Sequence, residues 1–240
     1  MRLISFLLCL IPINFCLSQQ EFFENKTEKQ LYNFNAFKSG EKLEYRLNYG
    51  FFNASYASLT LKDEVLDGKK VLRATSIGRT TGLARLFFKV DDIYETFFPK
   101  EKVKPVKSIR DIYEGGYERE AETIYDYKNN KALFYDKLKN IKKEFNIHPD
   151  IQDIISTFYY LRKHFDISSL KPNDLIYVDI FFDKEIYPFK MMFLGIERIK
   201  TKFGIVECMK LRPYMESGRV FRDNEGIKIW VTNDDNRVPI

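Results

Sequence analysis

Few residues in this chain could carry chemistry, and they are scattered. Two histidines, His148 and His164, stand sixteen residues apart. Along one helix that separation is roughly 24 Å at about 1.5 Å per residue, so they cannot share a metal ion. His164 falls near the end of that helix and is expected on its surface, where the helix dipole accepts positive charge. Of the three cysteines, Cys9 and Cys16 lie within the first eighteen residues. Cys208 stands alone in the alternating run 205–211, where a small core residue is expected; a nucleophile would want a histidine beside it. There is no paired-cysteine motif, no His-Glu-x-x-His and no Gly-x-Ser-x-Gly. Gly78-Arg79-Thr80-Thr81-Gly82 has the glycines of a phosphate loop without its lysine and reads as turn chemistry. The expectation is therefore a protein with no metal and no cofactor.

The charged and aromatic residues offer a different chemistry, that of holding something. Arg110, Glu114 and Arg162 are expected to form either a polar network inside a curved sheet or a ligand clamp, since buried charges need partners. Arg162 lies one helical turn from Phe158 and Tyr159. Trp230, within Ile229-Trp230-Val231, is a core residue first and a stacking platform for a sugar or lipid second. Arg110, Tyr160, Arg162 and Trp230 are the residues expected at a ligand.

These side chains need elements to position them, and one element is helical. From 148 to 165, Ile151, Ile154, Ile155, Phe158, Tyr159, Leu161, the stem of Arg162 and Phe165 recur at three- and four-residue spacing, a stripe that suits a helix and gives a strand no consistent face. Asp150, after Pro149, is the expected N-cap, with Asp153 in the first turn. Burying about seven large side chains at about 1.5–3 kcal/mol each gives a gross gain on the order of 10–20 kcal/mol. Phe158, central on the stripe, should cost about 3–5 kcal/mol when cut back to alanine.

Everything around the helix reads as strand. Period-two alternation runs through 42–49, 54–65, 70–77, 91–98, 103–113, 117–127, 131–135, 174–182, 185–199, 201–213, 220–221 and 226–232. Gly50, Asp67-Gly68, Asn129-Asn130, Pro172-Asn173-Asp174 and Lys202-Phe203-Gly204 supply turns. Residues 82–90 are a less regular apolar piece, expected as a short helix or loop crossing one end of the sheet. The cheapest topology pairs neighbours antiparallel. The expected fold is all-β and mainly antiparallel, a curved meander sheet or incomplete barrel wrapping one central helix at about 150–165.

Residues 1–18 carry Arg2, a short apolar run broken by Pro12, and Ser18 before a polar stretch, the pattern of a secretory leader cleaved after Ser18. The run is short for a retained membrane span, and Phe15 before Cys16 argues against lipidation. Residues 19–35 read as a loosely held lead-in and 36–240 as a single β-rich domain. A hydrophobic fraction of 45%, with 22 Phe and 15 Tyr, is enough for a sizeable core in one such domain. Loss of Arg2 takes the formal charge from +5 to +4. So small an excess, mixed along the chain, does not suggest a nucleic-acid partner. The densest basic cluster, Lys137, Lys139, Lys142 and Lys143, is expected on a solvated strand edge or loop.

The segment 152–162, Gln-Asp-Ile-Ile-Ser-Thr-Phe-Tyr-Tyr-Leu-Arg, resembles the central signature of the bacterial family called domain of unknown function 3108. Gly40-Glu41-Lys42-Leu43-Glu44-Tyr45, Val90-Asp91-Asp92, Tyr113-Glu114-Gly115-Gly116-Tyr117 and Ile229-Trp230-Val231-Thr232-Asn233-Asp234-Asp235 with Val238-Pro239 extend the likeness from about Phe37 to the end. The resemblance implies an exported, curved antiparallel fold of the kind found in envelope proteins of the Bacteroidetes, with no established activity or cofactor. It also marks Asp92, Glu114 and Asp235 as acids in recognised segments, with Glu114 and Asp235 the catalytic candidates. In the family the chain normally runs on past Val-Pro into a further strand, so a sequence truncated at the C-terminus is expected, leaving 226–232 an open edge prone to self-association.

Three functions follow as expectations. The first is a non-catalytic periplasmic, secreted or envelope module for an apolar or amphipathic ligand or partner, such as a lipid, a glycan or an envelope protein. The second is an envelope enzyme acting on glycans through paired carboxylates, and the third a purely structural interaction module. An open groove rimmed by Tyr and Arg would favour the first, two carboxylates about 5–10 Å apart across a cleft the second, and a filled interior the third.

Overall fold

Where apolar and polar residues alternate at period two, the chain forms strands, and the pairing follows sequence order. The structure is a computed structural model that describes residues 35–49, 52–164, 169–215 and 227–240. The described residues belong to one unit, Tyr32–Ile240. The expected leader, most of the lead-in, Phe165 and the strand at 220–221 lie outside them.

Eight strands form one antiparallel meander: β1 (Lys42–Tyr49), β2 (Phe52–Leu66), β3 (Lys69–Thr80), β4 (Val90–Phe98), β5 (Lys107–Glu114), β6 (Tyr117–Asp126), β7 (Lys131–Asp136) and β8 (Ile141–Asn146). A second sheet holds β9 (Leu175–Phe182), β10 (Glu185–Thr201), β11 (Gly204–Met215) and β12 (Ile229–Thr232), in the order β12-β11-β10-β9. Among the described residues two helices interrupt them, α1 (Gly82–Phe87) and α2 (Ile154–His164). Antiparallel hairpins thus account for both sheets, as the short connections require. Gly195, at φ +128, sits where the register of β10 against β11 shifts, a position that strains any residue with a Cβ.

β8 has no counterpart among the strands expected from sequence. Its Ile141-Lys142-Lys143-Glu144 run is exposed on both faces and lacks alternation. It is the edge of the meander, so the lysines stand where charge discourages pairing with another sheet.

The expected helix boundary also needs correction. Residues 151–153 are extended, because Gln152 joins the outer side of β9: its N–H donates to the Asp179 carbonyl (3.0 Å) and its carbonyl accepts the Phe181 N–H (2.8 Å). The helix therefore begins at Ile154, and Asp153, not Asp150, is its cap. The Asp153 carboxylate accepts the Ser156 N–H (2.7 Å) while Ser156 Oγ accepts the Asp153 N–H (2.8 Å), a reciprocal arrangement that satisfies two backbone donors.

The edge expected to be open after β12 is occupied. Thr232 N–H donates to the Val238 carbonyl (2.9 Å) and Ile240 N–H to the Trp230 carbonyl (2.8 Å), so residues 238–240 run antiparallel along it.

Three apolar clusters form the core. The first joins Phe37, Leu61, Leu72 and Phe98 of the meander to Tyr159 of α2; the second gathers Tyr125, Ile151 and Phe181; the third fills the second sheet with Ile176, Met191, Phe193, Met209 and Leu211. α2 buries Tyr159 and Arg162 of the expected stripe together with polar residues outside it. Ser156, Tyr159 and Lys163 turn inward, whereas Phe158 and Leu161 are half-buried and Ile154 is exposed.

Candidate functional site

The apolar stripe of α2 does not close against the second sheet. Between them lies a cavity of about 830 Å³, within the roughly 300–1,000 Å³ range of ligand pockets. One wall is α2, through Ile154, Phe158 and Leu161. These are spaced i, i+4, i+7, one helical face. The other wall is the inner face of the second sheet: Ile176 and Ile180 of β9, Phe189 and Met191 of β10, Met209 and Leu211 of β11, Ile229 and Val231 of β12. Register explains this wall, since Met209 pairs with Val231 and Leu211 with Ile229, each pair directed to one side. α2 is thus a wall of an interior space and does not fill it.

Polar groups stand at the two ends of the cavity. Near the C-terminal end of α2 are Arg162 and Arg237; near the β9–β10 hairpin are Glu185 and Tyr187, joined by a hydrogen bond from the tyrosine hydroxyl (2.9 Å). Arg162 is tied to Glu41 through two short bonds (2.7 and 2.8 Å) and donates to the Ala36 and Asn236 carbonyls (2.7 and 3.0 Å). It holds the cavity wall in place with donors that face away from the apolar lining.

Of the four expected ligand residues, then, Arg162 alone lines the large cavity. Arg110 faces a separate small recess between the meander, the start of α2 and the β9–β10 hairpin. It lies 4.4 Å over the Phe182 ring and 3.3 Å from the Asp183 carboxylate, which Arg119 also grips. Burial works to raise the Asp183 carboxyl, but Arg119 and Arg110 outweigh it and hold it below the usual range. Tyr160 is half-buried beside the first core cluster and the His164 ring. Trp230 stands on the opposite face of β12 from the cavity, where its indole donates to Glu197 (3.2 Å) and Lys210 lies over it. The expected network of Arg110, Glu114 and Arg162 is not formed, because each has partners elsewhere.

The acids expected to pair do not meet. Asp235 is exposed in the turn after β12, whereas the carboxyl beside Glu114 is Asp92, on the adjoining strand. Burial pushes Asp92 up to about 6 despite a bond from the Tyr113 N–H, and the Glu114 charge adds in the same direction. These two acids sit side by side on adjoining strands of one sheet. His148 lies 3.0 Å from Asp179. Cys208 is fully buried, and burial raises its thiol. Among the described residues no group of three or more His, Cys, Asp or Glu gathers as a metal site, and no helix is long and apolar enough to cross a membrane.

Asp153 is the most perturbed acid near the cavity. Burial pushes it up to about 6, opposed by bonds from the Ser156 N–H and the Thr96 hydroxyl. Between its ordinary value near 3.8 and about 6 the folded state holds the extra proton, so this group's contribution is complete below about pH 3.8 and is lost as pH rises to 6. Asp153→Asn should therefore lose stability relative to wild type at pH 3.5 and recover on the order of 2–3 kcal/mol of that difference by pH 7. Urea denaturation across that range checks it; a difference independent of pH would mean that Asp153 titrates normally.

Fold and cavity define a class: an antiparallel two-sheet β protein, curled as a half-barrel, with an apolar space between a helix and one sheet. The chain belongs to the family described as Protein of unknown function (DUF3108), which matches residues 44–240. Among solved structures it is similar to a DUF1089 family protein from Pseudomonas aeruginosa, 12% identical with a TM-score of 0.42 over 82% of this chain and 90% of that one. It is also similar to a β-barrel-like protein of the domain of unknown function DUF1849 from Brucella abortus, 9% identical with a TM-score of 0.48 over 82% of this chain and 87% of that one. A DNA-directed RNA polymerase subunit alpha of Tetradesmus obliquus is 24% identical over 89 residues, 37% of this chain; the match spans only 19% of that relative's length.

Proposed function

We propose that this protein is a non-catalytic binding module of the cell envelope, exported through its N-terminal leader, and that the cavity between α2 and the second sheet takes a lipid-like apolar or amphipathic ligand. The observation that carries the reading is the cavity itself, about 830 Å³ and lined chiefly by aliphatic and aromatic side chains. From Ile176 to Phe182 its β9 wall spans about 20 Å at roughly 3.3 Å per residue, a length that suits an extended hydrocarbon chain. About fifteen buried methylenes contribute about 12 kcal/mol gross, and an association cost of about 4–6 kcal/mol leaves about 6–8 kcal/mol, an expected Kd on the order of 1–100 μM.

Titration with cis-parinaric acid, a fluorescent fatty acid, tests the reading. Ile180→Trp puts an indole into the middle of the cavity and should weaken binding about tenfold or more while leaving the melting temperature within a few degrees. Absence of saturable binding by the wild type, or equal binding by the variant, would overturn it.

A further inference from the structure

The turn of the β9–β10 hairpin forms one end of the cavity, which Phe182, Glu185, Ile186 and Tyr187 line there. Phe182 and Ile154 also line the small recess that holds Arg110, so these two side chains stand between the recess and the cavity. Phe182 pairs with Glu185, which leaves Asp183 and Lys184 as a two-residue loop. Both have positive φ, +50 and +78. Such a loop favours glycine at its second position, and a lysine persists there where the surroundings hold the turn in place.

Side chains of the meander do the holding. Asp183 lies between two arginines of neighbouring strands, Arg110 of β5 (3.3 Å) and Arg119 of β6, which both reach its Oδ1. The Arg110 guanidinium is 4.4 Å from the centre of the Phe182 ring, and Lys184 Nζ is 5.4 Å from that of Phe134 on β7. Among the described residues no backbone hydrogen bond joins the turn to the meander. Residues 182–187 belong to none of the three core clusters. The walls of the cavity differ in this respect, since α2 contributes Tyr159 to the first cluster and β9 to β11 supply the third. A tip held by charge and ring contacts can part from the meander without breaking either sheet. We propose that the β9–β10 turn is the door of the cavity and that Asp183, held between Arg110 and Arg119, is its latch. When the latch parts, Phe182 leaves the partition and the cavity opens toward the recess, which gives an apolar ligand its path. The inference rests on the reading of the cavity as a ligand site and adds how the ligand passes.

Asp183→Asn tests it. Asparagine accepts a left-handed backbone as aspartate does, so the turn can form while the charge that draws both arginines is gone. The Phe181 N–H, bonded to the Gln152 carbonyl (2.8 Å), reports movement of the tip, and the Leu61 N–H, bonded to the Glu41 carbonyl (3.0 Å) in the first core cluster, reports the fold as a whole. Without ligand, hydrogen exchange followed by NMR should be about tenfold faster at Phe181 in the variant and unchanged at Leu61. With cis-parinaric acid in stopped flow, association and dissociation should both be about fivefold faster or more and Kd should change less than about threefold, because a door acts alike in both directions. Faster exchange at Leu61 as well would make the contact part of general stability and overturn the inference. Unchanged exchange at Phe181 would overturn it too, as would faster exchange there with unchanged ligand rates, which would put the ligand's path elsewhere. Absence of saturable binding by the wild type would instead overturn the reading of the cavity, and the door with it.

Discussion

Arg162→Met is expected to destabilise the protein by about 3–5 kcal/mol, the usual result of leaving one partner of a buried ion pair alone. The Arg162 side chain is 3% exposed and that of Glu41 16%. Four hydrogen bonds from the guanidinium reach Glu41, Ala36 and Asn236, so one side chain on α2 ties the segment before β1 to the turn after β12. Methionine fills much of the same volume but leaves the Glu41 carboxylate buried and two carbonyls without their donor. Glu41→Gln on the Arg162→Met background should recover part of the loss, because an amide tolerates that environment better than an unpaired charge. Urea denaturation of the two single variants and the double variant gives the coupling directly. Additive losses, or a loss under about 1 kcal/mol for Arg162→Met, would show that packing of the arginine stem and not its charge secures the three segments.

That network illustrates where sequence reading stops. The helical stripe marks Arg162 as inward-facing and its charge demands a partner, but the partners lie 74 to 126 residues away. No local pattern selects Glu41 over Arg110's neighbourhood or Glu114. The antiparallel strands and most of their turns, by contrast, are legible because alternation and turn residues are local, and consecutive pairing follows from short connections. β8 escapes because an edge strand exposed on both faces has no reason to alternate. The helix start is misplaced because Asp150 is as good a cap as Asp153 in sequence; the choice between them is made by β9, which draws Gln152 into a ladder.

The cavity was legible only in its parts. Ile154, Phe158 and Leu161, and the alternating residues of β9 to β12, read as core positions, since a side chain that lines an empty space and one that fills a core obey the same periodicity. Trp230 draws attention by its type, yet pairing of Met209 with Val231 turns it to the other face. Helix α1, which buries none of its residues, was visible only as an irregular apolar piece, because exposure depends on what the rest of the fold fails to cover.

Tyr159→Ala should be the most damaging change in the apolar core, costing about 3–5 kcal/mol as for other large aromatics cut back in packed interiors. Tyr159 is fully buried, with ring centroids 4.9 Å from Phe37, 5.5 Å from Phe98 and 5.1 Å from Phe158. Phe158, expected from its central place on the stripe to cost about 3–5 kcal/mol when cut back to alanine, is half-buried on the cavity wall. Its truncation enlarges an existing space and forfeits fewer contacts, so Phe158→Ala should cost roughly half as much as Tyr159→Ala. The tyrosine hydroxyl supplies a finer test. It is buried and has no hydrogen-bond partner among the described residues, and burial raises its pKa. Removing an unsatisfied polar atom returns its desolvation cost, so Tyr159→Phe should be neutral or stabilising by up to about 1 kcal/mol. Denaturation midpoints of the three variants decide the matter. Equal losses for the two alanine variants would mean that the cavity wall is packed as tightly as the core, and a loss above about 1 kcal/mol for Tyr159→Phe would mean that the hydroxyl is satisfied.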